Sequence, residues 1–233
     1  MILSSWERLL SEAYNTLDES YREFLEEDTH YFPNKENYFN AFTTLPKHKV
    51  KYILFGQDPY PRVESAGGYA FIDSKVTNLF STTGLSKEVN KATSLRNFIK
   101  MALVASKDLT VDYTSQEAIA QVDKSHMIHS IDELRLNFEK NGVLLLNTAL
   151  IFTDKKSSNK HVKAWKPFIE KLLLGLEEEH PKLILFGIHA KELKKQLSLE
   201  HFESIELEHP YNHTFISNPK AQELFAPMRL LEK

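Results

Sequence analysis

Four short apolar runs alternate with stretches of helical spacing. Val50–Phe55, Val143–Asn147, Leu183–Phe186 and Ser204–Leu207 are rich in branched and aliphatic residues and too short for helices, which predicts buried strands. Between them, apolar residues recur every three or four positions. Leu3–Glu26 places Trp6, Leu9, Leu10, Ala13, Tyr14 and Leu17 on one stripe, and Ser94–Val104 repeats Leu95, Phe98, Ile99, Ala102 and Leu103. Ile131–Phe138, Trp165–Leu176 and Lys191–Leu197 follow the same period, and Ser217–Leu231 predicts a last helix confined by Pro219 and Pro227. Asp73–Glu88, rich in Ser, Thr and Asn, reads as a long loop. Strands alternating with helices predict an α/β fold: one domain over residues 1–233, with a four-stranded, mainly parallel sheet flanked by helices on both faces.

Each predicted strand runs into polar residues or glycine: Gly56-Gln57-Asp58, Asn147-Thr148, Gly187-Ile188-His189 and Glu208-His209-Pro210. Parallel strands end at one edge, so Asp58, Asn147 and His209 are expected to converge on a cleft there. Pro59 and Pro61 fix their own φ and keep the preceding residues out of the helical region, so the turn holds Asp58 in a nearly fixed pose. Asp58 is then either a turn aspartate or a general base that orients water. Asn147 either closes its own turn or reads a nucleobase edge with its amide donor and acceptor. His209 is either a satisfied histidine or a donor to a developing anion. Phe71, behind Gly67-Gly68, is either core or a stacking platform. Thr93 and Ser94 open a helical run and either cap it or hold a phosphate. Lys155-Lys156 and the Lys191–Lys195 run read as solvated faces.

Composition narrows the classes. Apolar content of 42% and charged content of 26% are ordinary for a globular protein, and a net charge of −3 argues against a bulk polyelectrolyte binder while leaving room for a local basic face. The absence of cysteine excludes disulfides, a thiolate nucleophile and Cys-ligated metal. His209 and His213 do not read as a metal pair, because Pro210 opposes a helix between them. No P-loop, dinucleotide fingerprint or G-x-S-x-G elbow occurs. No apolar run is long enough to span a bilayer, and the N-terminus lacks a signal-peptide pattern, so a cytoplasmic location is expected.

Several of these segments, in order, resemble the family-1 uracil-DNA glycosylases. Gly56-Gln57-Asp58-Pro59-Tyr60 resembles that family's water-activating loop, and Leu144–Thr148 its second motif. Ser157–His161 with Trp165 is similar to its Ser-His and Gly-Trp segment, Thr93-Ser94-Leu95 to its phosphate-pinching loop, Leu185–Gly187 with His189 to its DNA-contacting edge, and His209-Pro210 to the start of its His-Pro-Ser-Pro-Leu loop. The resemblance implies hydrolysis of the N-glycosidic bond of uracil in DNA after base flipping, with no cofactor and no metal. Asp58 would position water and stabilise the cationic sugar, and His209 would stabilise the leaving base. Gln57, Tyr60, Phe71 and Asn147 would bind uracil: Phe71 by stacking, Asn147 at the Watson–Crick edge, Tyr60 by excluding the thymine methyl, and Gln57 through nearby amides that meet uracil O2. Thr93, Ser94, His161, Gly187, His189, Tyr211 and His213 would contact DNA. The implied partners are uracil-containing DNA, single- or double-stranded, and a proteinaceous glycosylase inhibitor, with the enzyme a monomer that meets no membrane. A non-catalytic DNA-binding or protein-interaction scaffold on the same fold is the alternative.

Three departures stand out. Pro61 replaces the family's histidine, Ala92-Thr93 replace prolines, and Tyr211-Asn212-His213 replace Ser-Pro-Leu. The family's leucine wedge is therefore either left to His213, Tyr211 or Phe215, or missing.

Overall fold

The computed structural model describes residues 1–187, 192–193, 196–197 and 201–233. Four of the predicted strands form one sheet: β1 (Tyr52–Gly56), β4 (Val143–Asn147), β5 (Lys182–Phe186) and β6 (Ser204–Leu207), in the order β4-β1-β5-β6. β1 runs parallel to β4, with Tyr52 beside Val143 and Gly56 beside Asn147, and parallel to β5, with Tyr52 beside Lys182. The bonds Leu183 N–H to Glu203 O and Gly187 N–H to Leu207 O advance together along both chains, the signature of a parallel pair. β4 is buried throughout, which is why it reads as an unbroken apolar run rather than an alternating one.

The chain divides into two compact units interleaved in sequence. The first comprises Met1–Asp73, Gly142–Leu185 and His189–Ile205; the second comprises Ser74–Asn141, Phe186–Ile188 and Glu206–Lys233.

In the first unit, helices α1 (Ser4–Tyr14), α2 (Glu19–Glu27) and α7 (Ser158–Leu174) share a core with the sheet. Trp6 packs edge-on against Phe42 and donates its indole N–H to Leu45 O at 2.7 Å. Trp165 packs edge-on against Phe168. Truncating any one of these buried aromatics costs about 3–5 kcal/mol. The single stripe expected over Leu3–Glu26 is two helices: the chain turns at Asn15–Leu17, and Asp18 caps α2 by accepting from Ser20 N–H at 3.0 Å. Leu17 stays buried in the turn, so the apolar pattern runs on while the axis changes.

The second unit is built around α4 (Thr93–Ala105) and α6 (Ile131–Lys140), with the short helices α3 (Lys87–Lys91), α5 (Gln116–Gln121) and α8 (Pro219–Phe225). Its core is aromatic: Phe98 meets Phe138, Phe215 and Phe225. Ser130 and Glu133 form a reciprocal capping box at the start of α6. The expected loop Asp73–Glu88 contains a small hairpin, β2 (Phe80–Ser81) with β3 (Gly84–Leu85). The expected terminal helix is broken up, with Pro219 at the first turn of α8 and Pro227 in a following 3-10 turn. His189 and three residues of the expected helix Lys191–Leu197, at 191, 194 and 195, lie outside the described residues.

Candidate functional site

The loop after β1 is tied to the chain after β4. Gly56 O accepts from Thr148 N–H at 3.0 Å. Gln57 O accepts twice, from Ala149 N–H at 2.9 Å and from Thr148 Oγ1 at 2.7 Å. A trans peptide points its C=O and N–H in opposite directions, so pinning Gln57 O turns the Asp58 N–H away from that strand end. Pro59 is buried beneath the turn and Asp58 is half-buried.

The Asp58 carboxylate accepts through Oδ2 from Ser158 Oγ. Ser158 in turn accepts from Gln57 Nε2 at 3.2 Å. Ser158 is buried in the first turn of α7. The polar side chain that holds Asp58 is thus a helix hydroxyl about a hundred positions away, which the sequence reading did not single out.

Asn147 ends β4 and is 5% exposed, yet its amide makes no hydrogen bond to any described residue. It can adopt its pose only because position 56 is glycine. A Cβ there would lie 2.2 Å from Asn147 Oδ1 and 3.2 Å from Ala70 Cβ. Ala70 N–H donates to Leu145 O at 3.2 Å, which moors the segment 67–71 to the same strand. Gly68 has φ +85, and a Cβ on it would strike Asn37 O at 2.1 Å. Phe71 also sits in the left-handed region, at φ 70, an uncommon conformation for a bulky residue and a mark of local strain. Tyr60 donates its hydroxyl to Phe71 O at 3.2 Å. Burial first, and Asp73 second, push the Tyr60 phenol up to about 12, so it stays neutral near pH 7. Gln57, Asp58, Tyr60, Phe71 and Asn147 therefore come together on the first unit.

His161 is placed otherwise than expected. It is 3% exposed, with Nδ1 at 2.7 Å from Tyr21 Oη and Nε2 at 2.9 Å from Thr153 Oγ1. Both nitrogens are used inside the unit, so a DNA-contact role for His161 gives way to a structural one. Burial, more than neighbouring Lys160, holds its pKa below the usual histidine value.

The second unit carries the other candidates. Thr93 and Ser94 lie half-buried in the first turn of α4, which has no side-chain cap. Gly187 follows β5 with φ +78 and approaches His209 closely. His209 Nδ1 accepts from Tyr211 N–H at 3.0 Å, so the ring proton of the neutral imidazole sits on Nε2. Asn97, only 2% exposed, spreads its Nδ2 over the carbonyls of Pro210 at 2.8 Å, Tyr211 at 3.2 Å and Asn212 at 3.3 Å. The Glu208 carboxylate accepts from Thr214 Oγ1 at 2.5 Å and Asn218 Nδ2 at 2.9 Å. Tyr211 is 66% exposed and His213 is exposed, whereas Phe215 is fully buried against Phe98 and Phe186. Phe215 is thereby removed from the wedge candidates, because it cannot leave without opening the core. Asn97 escaped the sequence reading; its signal is a polar residue inside the apolar stripe of α4.

Among the described residues, no three His, Asp or Glu side chains gather as a metal-ligand set. No described helix is long and apolar enough to cross a membrane.

A model of the uracil DNA glycosylase superfamily matches residues 42–227. The uracil-DNA glycosylase of Oceanobacillus iheyensis is 27% identical over 177 residues, 76% of this chain and 63% of that protein, so the match spans less than two thirds of the relative. The uracil-DNA glycosylase of Fusobacterium nucleatum is 27% identical over 205 residues, 83% of this chain and 75% of its own length. The crystal structure of UNG from Nitratifractor salsuginis superposes with a TM-score of 0.97 at 56% identity, covering 100% of this chain and 93% of that one. A mimivirus UNG variant in complex with UGI shares the fold, with a TM-score of 0.58 at 19% identity over 90% of this chain and 70% of its own.

Proposed function

The chain belongs to the uracil DNA glycosylase superfamily, and from that membership we propose that it is a DNA-repair N-glycosylase that flips uracil out of DNA and hydrolyses its bond to the sugar. The observation that carries this reading is Asn147: a nearly buried amide with a donor, an acceptor and no side-chain hydrogen bond among the described residues, set where Gly56 leaves room for it. A bound base edge would give that amide the partners it lacks among the described residues. A nucleobase offers the complementary donor and acceptor.

In this reading Phe71 stacks on the flipped base and Tyr60 walls off the position where thymine carries its methyl. Breakage of the glycosidic bond leaves positive charge on the sugar and negative charge on the base. Asp58 stabilises the first and orients the attacking water, as a carboxylate does in glycoside hydrolysis. Ser158 holds that carboxylate in place of the histidine that Pro61 displaces. Amides near Gln57 and the Nε2–H of His209 stabilise the second, each such donor being worth about 3 kcal/mol of barrier. Thr93, Ser94, Gly187, His189, Tyr211 and His213 serve the DNA strand, with Tyr211 or His213 filling the gap left by the flipped base. The chemistry needs no cofactor, and the reading carries a monomeric cytoplasmic enzyme.

Uracil release from single- and double-stranded oligonucleotides is the test. The expected result is release by the native chain and a loss of about 100-fold or more in Asp58→Asn. Folded native protein that binds DNA but releases no uracil at high concentration favours the scaffold reading instead.

A further inference from the structure

Charge is distributed unevenly along the chain. Residues 155–169 contain Lys155, Lys156, Lys160, Lys163 and Lys166 and no acid; with these five set aside, the rest of the chain carries −8 against −3 for the whole. All five lysines are exposed. Lys166 is paired with Glu170 at 3.5 Å. The other four have no ion pair among the described residues. The nearest acid, Asp154, is otherwise engaged: its carboxylate accepts from Lys156 N–H at 2.7 Å, Ser157 N–H at 3.1 Å and Ser157 Oγ at 2.8 Å.

Position gives this surplus a direction. The lysines flank Ser158, whose hydroxyl holds Asp58. Lys160 and Lys163, three residues apart, share one face of the first turns of α7, and Lys155 and Lys156 lie in the turn that leads into it.

We propose that Lys155, Lys156, Lys160 and Lys163 form a phosphate track that grips the DNA backbone beside the catalytic loop. The inference rests on the glycosylase reading, under which a nucleic-acid strand must pass Asp58. An acidic protein would also meet a basic face, but under the glycosylase reading a phosphate-bearing strand must pass Asp58, and the lysines sit beside the serine that holds it. The track does no chemistry; it sets the register of the strand and supplies sequence-independent affinity.

The test is the salt dependence of duplex binding, measured by fluorescence anisotropy on undamaged and uracil-containing 20-mers. Each lysine on a phosphate contributes about one unit to the slope of log affinity against log salt. K156Q/K160Q is expected to lower the slope by about 2, and the quadruple Gln variant by up to about 4. K107Q/K220Q, matched in charge but elsewhere, should leave it unchanged. The kcat for uracil release at saturating substrate should stay at the native value. An unchanged slope in K156Q/K160Q, or an equal drop in K107Q/K220Q, overturns the track. Failure of the glycosylase reading shows separately, as absence of uracil release by the native chain. All variants keep surface positions and helix-compatible side chains, and circular dichroism checks that they fold.

Discussion

Ser158 and Asp58 are joined by a hydrogen bond in which the serine donates to the carboxylate and accepts from Gln57 Nε2 at 3.2 Å. A hydrogen bond to a charged group contributes about 1.5–3 kcal/mol. Ser158→Ala should therefore lower kcat by about 10-fold or more while KM changes little, because the lost contact orients the carboxylate rather than the substrate. Steady-state kinetics on a uracil-containing oligonucleotide reads this directly. A native kcat in the folded variant removes Ser158 from the positioning of Asp58.

Gly56 and Asn147 should behave as one unit. Gly56→Ala puts a methyl into the space of Asn147 Oδ1, a clash that costs about 1–3 kcal/mol and displaces the amide. Urea denaturation should show the loss of stability, with uracil release strongly reduced. In the double variant Gly56→Ala/Asn147→Ala the amide is gone, so part of the stability should return while activity stays low. Additive losses in that cycle would show that the two positions do not couple.

Asn97 is expected to act on activity beyond its effect on folding. Asn97→Ala leaves the Pro210, Tyr211 and Asn212 carbonyls without their shared donor, and Asn97→Asp sets a carboxylate against them. Both should destabilise the chain, by about 1–3 kcal/mol for the alanine variant. At a temperature where each variant is fully folded, kcat should still fall, because Tyr211 N–H no longer fixes the tautomer of His209. Full kcat under those conditions confines Asn97 to a structural role.

Acid should destabilise the first unit through His161. Its folded pKa lies below its unfolded value of 6.5, chiefly through burial, so the unfolded chain takes up a proton that the folded chain refuses. The stability is fully present above pH 6.5 and is lost as pH falls through that value toward the folded pKa. Melting temperature measured from pH 7.5 to 5 should therefore fall on acidification. His161→Gln should flatten the fall, at the cost of lower stability at pH 7.5.

Much of the sheet was legible because buried parallel strands are apolar from end to end. Val143–Asn147 and Ser204–Leu207 were read with the bounds they have in the structure. Features that depend on polar residues were not. Ser158 and His161 continue the buried stripe of Trp165 and Phe168 back toward the loop that carries Asp58. Because both are polar and lie among lysines, helical spacing became visible only from Trp165. The hairpin at Phe80–Leu85 was hidden by its Ser and Thr content, which suits loops and strands alike. Of the candidate residues, Gln57, Asp58, Phe71 and Asn147 stand out at strand ends and behind glycines, whereas Tyr60 comes from the family resemblance alone. Ser158 and Asn97 make contacts about a hundred positions away in sequence, which no local pattern encodes.

The segment from Glu208 to Asn218 is fastened at both ends and in the middle: Glu208 reaches forward to Thr214 and Asn218, and Asn97 holds the three carbonyls between. Its exposed tip, Tyr211 to His213, is therefore anchored through its own backbone rather than left as loose chain. The backbone amide of Tyr211 at that tip is the group that sets which nitrogen of His209 carries the proton. The tip and the tautomer of His209 are thus one hydrogen-bonded unit: a displacement of Tyr211 that broke this bond would free Nδ1 and let the imidazole exchange its tautomer.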